Sequence, residues 1–309
     1  MNVFKILKDK YFYINFWKCE SILEKFFYKK NKTENYLKWW YKRKTGLTLN
    51  LENPVLFTEK QQWLKLYGHN NLNKYCDKYS ARKYIEEKIG NQYLVDLITI
   101  DNKKYYKNAN EIDFDSLPNS FVIQCNHGAH MTHIIRDKSK LSKYQIMLLK
   151  RKLNKELKVN YAFCQGYELQ YKDIDPCIFI TKYISFNNDL PDFKFFYFNG
   201  KMEFFSIDQD RFKKHKRTIF DSSLEKAKFQ CNNYEECDLI IDKDKVKEMI
   251  KIGNIIAKDF NYVRVDFYLA DDKIYFSELT FTSASGIALF SPFEYNYELG
   301  NLINISNLK

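Results

Sequence analysis

Glycine is scarce in this sequence, at only nine of 309 residues. The scarcity excludes the loops that need it most. There is neither a G-x-G-x-x-G turn nor a G-x-x-x-x-G-K-[ST] loop, so neither a dinucleotide fingerprint nor a P-loop is supported. Cysteines number seven, an odd count, and no two stand as C-x-x-C. That pattern argues against a disulfide framework and for free thiols in a reducing compartment. No apolar run approaches the ~20 residues that span a bilayer. Lys8-Asp9-Lys10 interrupts what a signal peptide would keep apolar, so a cytoplasmic location is the expectation. Internal repeats and low-complexity linkers are also absent.

What the sequence has in excess is positive charge, and it is uneven. Of the net +11, residues 1–50 carry +8, from twelve Lys/Arg against four acids. A basic segment rich in aromatics suits an anionic membrane, a polyanionic substrate or polysaccharide assembly machinery; it equally suits a solvated helix packed on its own domain. No nucleic-acid module accompanies the charge, so no nucleic-acid partner is expected.

Helical spacing covers residues 2–29 and Thr33 to Lys44. Thr58 and Gln61 read as a capping box opening a helix to Tyr67, and Ser142 with Gln145 as another before Lys143 to Glu156. Asn70 to Lys88 reads as helix ending near Gly90. Short apolar runs at Leu94 to Ile100, Ser120 to Cys125 and Cys177 to Ile184 read as strands. Asn199-Gly200 between Phe193–Phe198 and Lys201–Ile207 is a type I′ hairpin signal, and a helix from about Asp244 to Lys258 follows it.

Chemistry concentrates in two runs, Tyr262 to Leu269 and Lys273 to Phe281, joined by Ala270-Asp271-Asp272 as a hairpin. Alternation puts Arg264 and Asp266 on one face, and Glu278 on a face with Ile274, Phe276 and Thr280. An odd loop, with Leu269 opposite Lys273, would set Arg264 across from Glu278; an even loop would part them. Two carboxylates in apolar strands carry a desolvation cost that a hydrogen-bonded partner, an arginine or a metal must offset. Spacing leaves open whether that partner is magnesium, which takes hard oxygen ligands, or Arg264 in a plain ion pair. His127, His130 and His133 have the spacing of zinc ligands, but a strand-to-loop setting without a fourth ligand favours contacts other than zinc. Cys125 beside His127 reads by default as a buried thiol.

Arg264-x-Asp266, Glu278-x-Thr280 and Ser283-x-Ser285-Gly286 resemble the terminal signature of ATP-grasp ligases. Further motifs are Phe57-Thr58-Glu59-Lys60, Asp77-Lys78-Tyr79, Cys125-Asn126-His127-Gly128, Lys194-Phe195-Phe196, Asn199-Gly200-Lys201 and Asp208-x-Asp210-Arg211. With them the chain is similar, over about residues 52 to 303, to the TupA-like ATP-grasp family of surface-polysaccharide loci, whose members are often labelled glycosyltransferases. The resemblance implies an α+β fold of two interlocked lobes. A basic appendage (1–50) would precede a helical region (51–115), a subdomain with the phosphate loop (116–184) and a carboxy-terminal lobe with the metal site (185–309). It implies ATP and Mg2+ as cofactors, with a carboxylated sugar and an amine joined through an acyl phosphate. Asp266, Glu278 and Thr280 would hold the metal. Arg264, Lys194 and Arg211 would serve catalysis. Lys78, Gln124, Asn126, His127, Gly128, Thr181, Lys182, Tyr183, Ile184 and Lys194 would line the nucleotide. Arg217, in His215-Lys216-Arg217, is a second clamp candidate beside Arg211, although the spacing favours a solvated charge run.

Three positions depart from the family pattern. Gln124 stands where a lysine is usual, Thr181 to Ile184 lacks a common glutamate, and Thr280 replaces an asparagine. These departures allow an inactive nucleotide-binding scaffold as an alternative. The Asp208-Gln209-Asp210 run supplies another, a glycosyltransferase that uses a nucleotide sugar.

Overall fold

The computed structural model describes residues 21–68, 71–184, 190–210, 214–232, 234–237, 239 and 241–306. Residues 21–29 are helical. Four helices follow: α1 (Thr33–Thr45), α2 (Phe57–Trp63), α3 (Asn73–Cys76) and α4 (Ala81–Ile89). A first sheet has antiparallel order β2-β1-β3, from β1 (Phe121–Cys125), β2 (Thr132–Ile135) and, after α5 (Lys143–Glu156), β3 (Ile178–Lys182). Next come β4 (Asp192–Phe198), β5 (Lys201–Gln209), β6 (Lys216–Asp221), the short β7 (Gln230–Cys231), α6 (Lys243–Ala257), β8 (Tyr262–Ala270) and β9 (Lys273–Thr280). They form a five-stranded sheet, β6-β5-β4-β8-β9, while β10 (Phe290–Ser291) pairs with β7 before α7 (Tyr295–Leu302).

Alternation along the five strands explains the layering. One face presents Phe193, Phe195, Tyr197, Phe205, Ile207, Val263, Val265 and Phe267, and buries them against α6 with Ile85 of α4. The opposite face is divided. At one end Phe196, Phe198, Phe204 and Tyr262 pack under α1 and α2. At the other end the same face carries Asp192, Lys194, Asp208, Arg264 and Asp266. An apolar half-face covered by helices thus adjoins a charged half-face.

Several local expectations hold. Asn199 and Gly200 both take positive φ (50° and 77°) in the β4–β5 turn. Ser142 Oγ accepts from Gln145 N, and the Gln145 side chain accepts from Ser142 N, capping α5. Others need correction. Thr58 does not cap: it lies inside α2, its hydroxyl 2.7 Å from Tyr41 Oη, and Glu59 caps instead by accepting from the N–H groups of Val55 and Leu56. The expected Asn70–Lys88 helix is broken into α3 and α4, because Asp77 accepts from Tyr79 N and Ser80 N and turns the chain there. Leu94 to Ile100 makes only isolated bridges, such as Leu97 with Thr181.

Much of the segment before residue 50 is seated in the fold. Leu37, Trp40 and Tyr41 are almost fully buried. Buried Glu24 accepts from Gly166 N at 2.8 Å and Tyr167 N at 3.3 Å. Trp40 also carries the buried Lys65 ammonium 4.7 Å from its ring centroid. Trp40→Ala is therefore expected to cost about 3–5 kcal/mol in urea unfolding, the range for emptying a large aromatic site. A cost below about 1 kcal/mol would show that this helix is not part of the core.

Candidate active site

The β8–β9 hairpin builds the centre of the site, by a route the sequence did not reveal. Its turn is even: Ala270 pairs Lys273, and Asp271 and Asp272 both take positive φ. A bulge at Ser277 then adds one residue, so that Asp266 pairs Glu278 and Arg264 pairs Thr280. The bulge also parts Glu278 from Ile274 and Phe276, which lie in the apolar core with Leu279. Glu278 and Thr280 instead join the charged half-face. The expected odd loop, and Arg264 across from Glu278, are thus not found: the even turn and the bulge set Asp266 opposite Glu278 and still bring the three side chains to one face.

Arg264 grips Asp266 with two bonds, Nε to Oδ1 at 2.7 Å and an Nη2 to Oδ2 at 2.6 Å. The same guanidinium reaches Thr280 Oγ1 at 3.0 Å and Glu278 Oε1 at 3.5 Å. Burial alone would weaken its hold on the proton, but the Asp266 carboxylate outweighs that and keeps Arg264 charged. Burial pushes Asp266 upward, opposed by Arg264 and Lys194. Glu278, about a third exposed, sits 3.2 Å from the Lys78 ammonium. Burial would raise its pKa, yet Lys78 and Arg264 prevail and hold it at about 2.

Lys78 ties this hairpin to the first sheet. Its ammonium donates to Gly128 O at 2.8 Å, and its backbone N–H donates to Asn126 O. Asn126 is itself buried in structural bonds, accepting from Cys177 N and donating to Asp175 O. His127 is buried with Nε2 3.2 Å from Glu156 O. His133 bonds the Glu156 carboxylate at 2.9 Å. Among the described residues no group of three metal-ligating side chains forms, so the histidines do not assemble a zinc site. Gln124, on β1, accepts from Thr132 Oγ1 at 3.3 Å.

Thr181 and Lys182 end β3, with Thr181 buried and Lys182 paired to Asp96 at 2.8 Å; Tyr183 and Ile184 follow directly. Lys194 is buried on β4 opposite Asp266, its ammonium in contact with Asp192, 3.6 Å from Asp266 and 3.8 Å from Asp208. Arg211 lies outside the described residues. Arg217 is not part of a solvated charge run: its guanidinium bonds both oxygens of Asp208, at 2.5 and 2.8 Å.

The sequence reading missed a second buried group. Ala284, Ser285 and Gly286 are successively left-handed, with φ of 48°, 54° and 70°. Gln62 Nε2 donates to Gly286 O at 2.6 Å, and Lys65 Nζ donates to Ser285 O at 2.5 Å. A Cβ on Gly286 would come within 2.5 Å of Gln62 Nε2, so the position needs glycine for space as well as for φ. Buried Glu168 faces the loop, its pKa raised by burial against the pull of Lys65, which burial lowers to about 8. No local signal pointed to this group, since the partners are some 220 residues apart in sequence.

The profile of the TupA-like ATP-grasp family matches residues 59–304. The chain belongs to this family. Its fold is the α+β ATP-grasp, and the chain is similar at low identity to solved structures. One is the D-alanine–D-alanine ligase of Bacillus anthracis, with 17% identity over 79% of this chain and 72% of that one and a TM-score of 0.42. Another is the N5-carboxyaminoimidazole synthetase of Staphylococcus aureus complexed with ADP, with 12% identity over 71% and 50% of the two chains and a TM-score of 0.39. No curated protein matches the chain. Among the described residues no helix is long and apolar enough to cross a membrane.

Of the three expected magnesium ligands, Glu278 offers a hard oxygen at the outer edge, while Arg264 engages both oxygens of Asp266 and the Thr280 hydroxyl, so a magnesium ion here would share those two side chains with the guanidinium. Two expectations follow. Asp266→Asn leaves Arg264 and Lys194 short of the carboxylate between them and should cost about 3–5 kcal/mol, whereas exposed Glu278→Gln should cost no more than about 1 kcal/mol. Equal costs in urea unfolding would contradict the assignment of Asp266 as the structural counter-charge. The second concerns acid. Glu278 is depressed from 4.5 to about 2, so its stabilising effect is complete above about pH 4.5 and is lost as pH falls toward 2. Lys78→Met should flatten that part of the melting-temperature profile; an unchanged profile would contradict the pair.

Proposed function

We propose that this protein is an ATP-dependent carboxylate–amine ligase acting on a carboxylated sugar of a bacterial capsule or other surface polysaccharide, or on its precursor. The observation that carries this reading is the joined cluster of Lys78, Arg264, Asp266, Glu278 and Thr280, which sets two cations and three oxygen-bearing side chains at one edge between the sheets. Family membership and ligase-like fold support it.

In this reading the carboxylate of the sugar attacks the γ-phosphoryl of ATP, giving an acyl phosphate and ADP. The amine then attacks the acyl carbon, forming the amide and releasing phosphate. Asp266, Glu278 and Thr280 would hold Mg2+, which would supply positive charge to balance the phosphates. Lys78, carried against the turn at Asn126 to Gly128, borders the phosphates, with Lys194 behind them countering the buried acids. Arg264 faces the oxyanion that develops at the acyl carbon. Gln124 donates a hydrogen bond where a lysine would supply charge. Thr181 to Ile184 border the adenine, and Arg211 clamps the substrate carboxylate. The enzyme works in the cytoplasm, with peripheral contact at the membrane's inner face.

The glycosyltransferase alternative rests on Asp208-x-Asp210, where Arg217 and Lys194 surround Asp208 as Arg264 and Lys194 surround Asp266, so it is the nucleotide that discriminates between the two readings. ATP with Mg2+ should raise the melting temperature, in proportion to ~2.7 kcal/mol at a hundredfold excess over Kd. Glu278→Gln should abolish magnesium-dependent ADP formation at a cost to stability of no more than about 1 kcal/mol. Stabilisation by UDP-sugars and none by ATP would overturn the reading.

A further inference from the structure

The left-handed loop after β9 is held from behind by polar side chains that are not all satisfied. Gln62 Nε2 is spent on the carbonyls of Ser285 and Gly286, and Lys65 Nζ on those of Ser285 and Gln165. The Thr282 hydroxyl donates to buried Glu168, so it accepts from Gln170 Nε2, at 2.8 Å, which fixes the orientation of that amide. Three amide oxygens are left over. Gln61 Oε1, Gln62 Oε1 and Gln170 Oε1 find no hydrogen-bond partner among the described residues, nor does Gln61 Nε2, and each of these residues is 2% exposed or less. Folded proteins keep few such atoms without a partner.

The cluster adjoins the charged half-face. Glu168 is close enough to Glu278 for the two carboxylates to repel, and Ser283, in the same loop, lies 3.5 Å from an Nη of Arg264. Ala284, the next residue of the loop, is exposed, so the cluster sits just beneath the surface. A carboxylate with a surplus of amide oxygens disfavours an anion and favours a group rich in N–H donors. A primary amine brings two such donors, and its ammonium form brings three together with the charge that complements Glu168. We propose that Glu168, Gln170 and Gln62 form the subsite that receives the nitrogen of the amine co-substrate. The subsite rests on the ligase reading above, in which Arg264 faces the acyl carbon, and it sets the amine on the Ser283 side of that carbon.

The first measurement needs no turnover. The melting temperature of the full-length protein is compared in methylammonium, tetramethylammonium and potassium chloride at equal ionic strength. Tetramethylammonium carries charge without N–H donors, and potassium tests a metal cation among the same oxygens. Methylammonium should stabilise the wild type above the other two salts, and Glu168→Gln should abolish the difference. No difference in the wild type, equal stabilisation by potassium, or a difference retained in Glu168→Gln would each overturn the proposal. The second measurement is coupling in the presence of ATP, Mg2+ and a hexuronic acid, with methylamine and hydroxylamine as alternative acceptors. Glu168→Gln should raise KM for methylamine about tenfold, as loss of a charge-assisted hydrogen bond gives, and should raise KM for hydroxylamine, which is uncharged at neutral pH, by less. Equal losses for both acceptors would mean a merely structural role and would overturn the proposal. If Glu168→Gln, which leaves Lys65 without its counter-charge, does not fold, Gln170→Met removes an unpartnered oxygen and strands no charge; the same expectations apply to it. Selective stabilisation by methylammonium with no hydroxamate from any carboxylate would overturn the ligase reading and not the subsite's preference for an N–H donor.

Discussion

A carboxylate can be closed inside a sheet only if a cation comes with it. In this protein the bidentate contact between Arg264 and Asp266 meets that condition, and the charged half-face is arranged around it. Lys194 stands between Asp192, Asp208 and Asp266, and Arg217 takes both oxygens of Asp208. The acids hold the cations in place and the cations let the acids be buried. This mutual neutralisation leaves Glu278, at the outer edge and partly exposed, as the carboxylate most accessible to a ligand.

The same pattern connects the two sheets. Lys78 is anchored by its backbone to Asn126 and by its ammonium to Gly128 O and Glu278. One lysine thus fixes the turn after β1 against the end of β9. On the far side of the site Gln62 and Lys65 hold the carbonyls of a left-handed loop that follows β9. Three consecutive left-handed residues are unfavourable for the two that are not glycine, and such strain persists only where surrounding bonds enforce it. The helical region before the sheets is therefore a structural part of the site's wall.

Elements whose signals are local were legible in the sequence: the Asn199-Gly200 turn, the Ser142–Gln145 cap and the strand pair carrying Arg264, Asp266 and Glu278. The register of that pair was harder to read. Counting loop residues called for an odd turn, while the chain uses an even turn and a bulge at Ser277. In hindsight the spacing of Ile274, Phe276 and Leu279 carries the bulge, since three core residues at intervals of two and three cannot share a face of a regular strand. Thr58 misled because its spacing to Gln61 imitates a cap, although Tyr41, 17 residues away, claims its hydroxyl. The partners of Lys65 depend on long-range packing, which no local pattern records, whereas Arg217 meets Asp208 directly across the neighbouring strands β5 and β6. The family motifs, by contrast, indicated the fold, because they are spread over most of the chain.

The central claim is that a carboxylate is activated by ATP. Incubation of the protein with ATP, Mg2+, a hexuronic acid and hydroxylamine tests it directly, because hydroxylamine captures an acyl phosphate as a hydroxamate without knowledge of the natural amine. The account requires hydroxamate and ADP in equal amounts from the wild type, and neither from Glu278→Gln. ADP formation that is indifferent to any carboxylate, with no hydroxamate across a panel of carboxylated sugars, would contradict it.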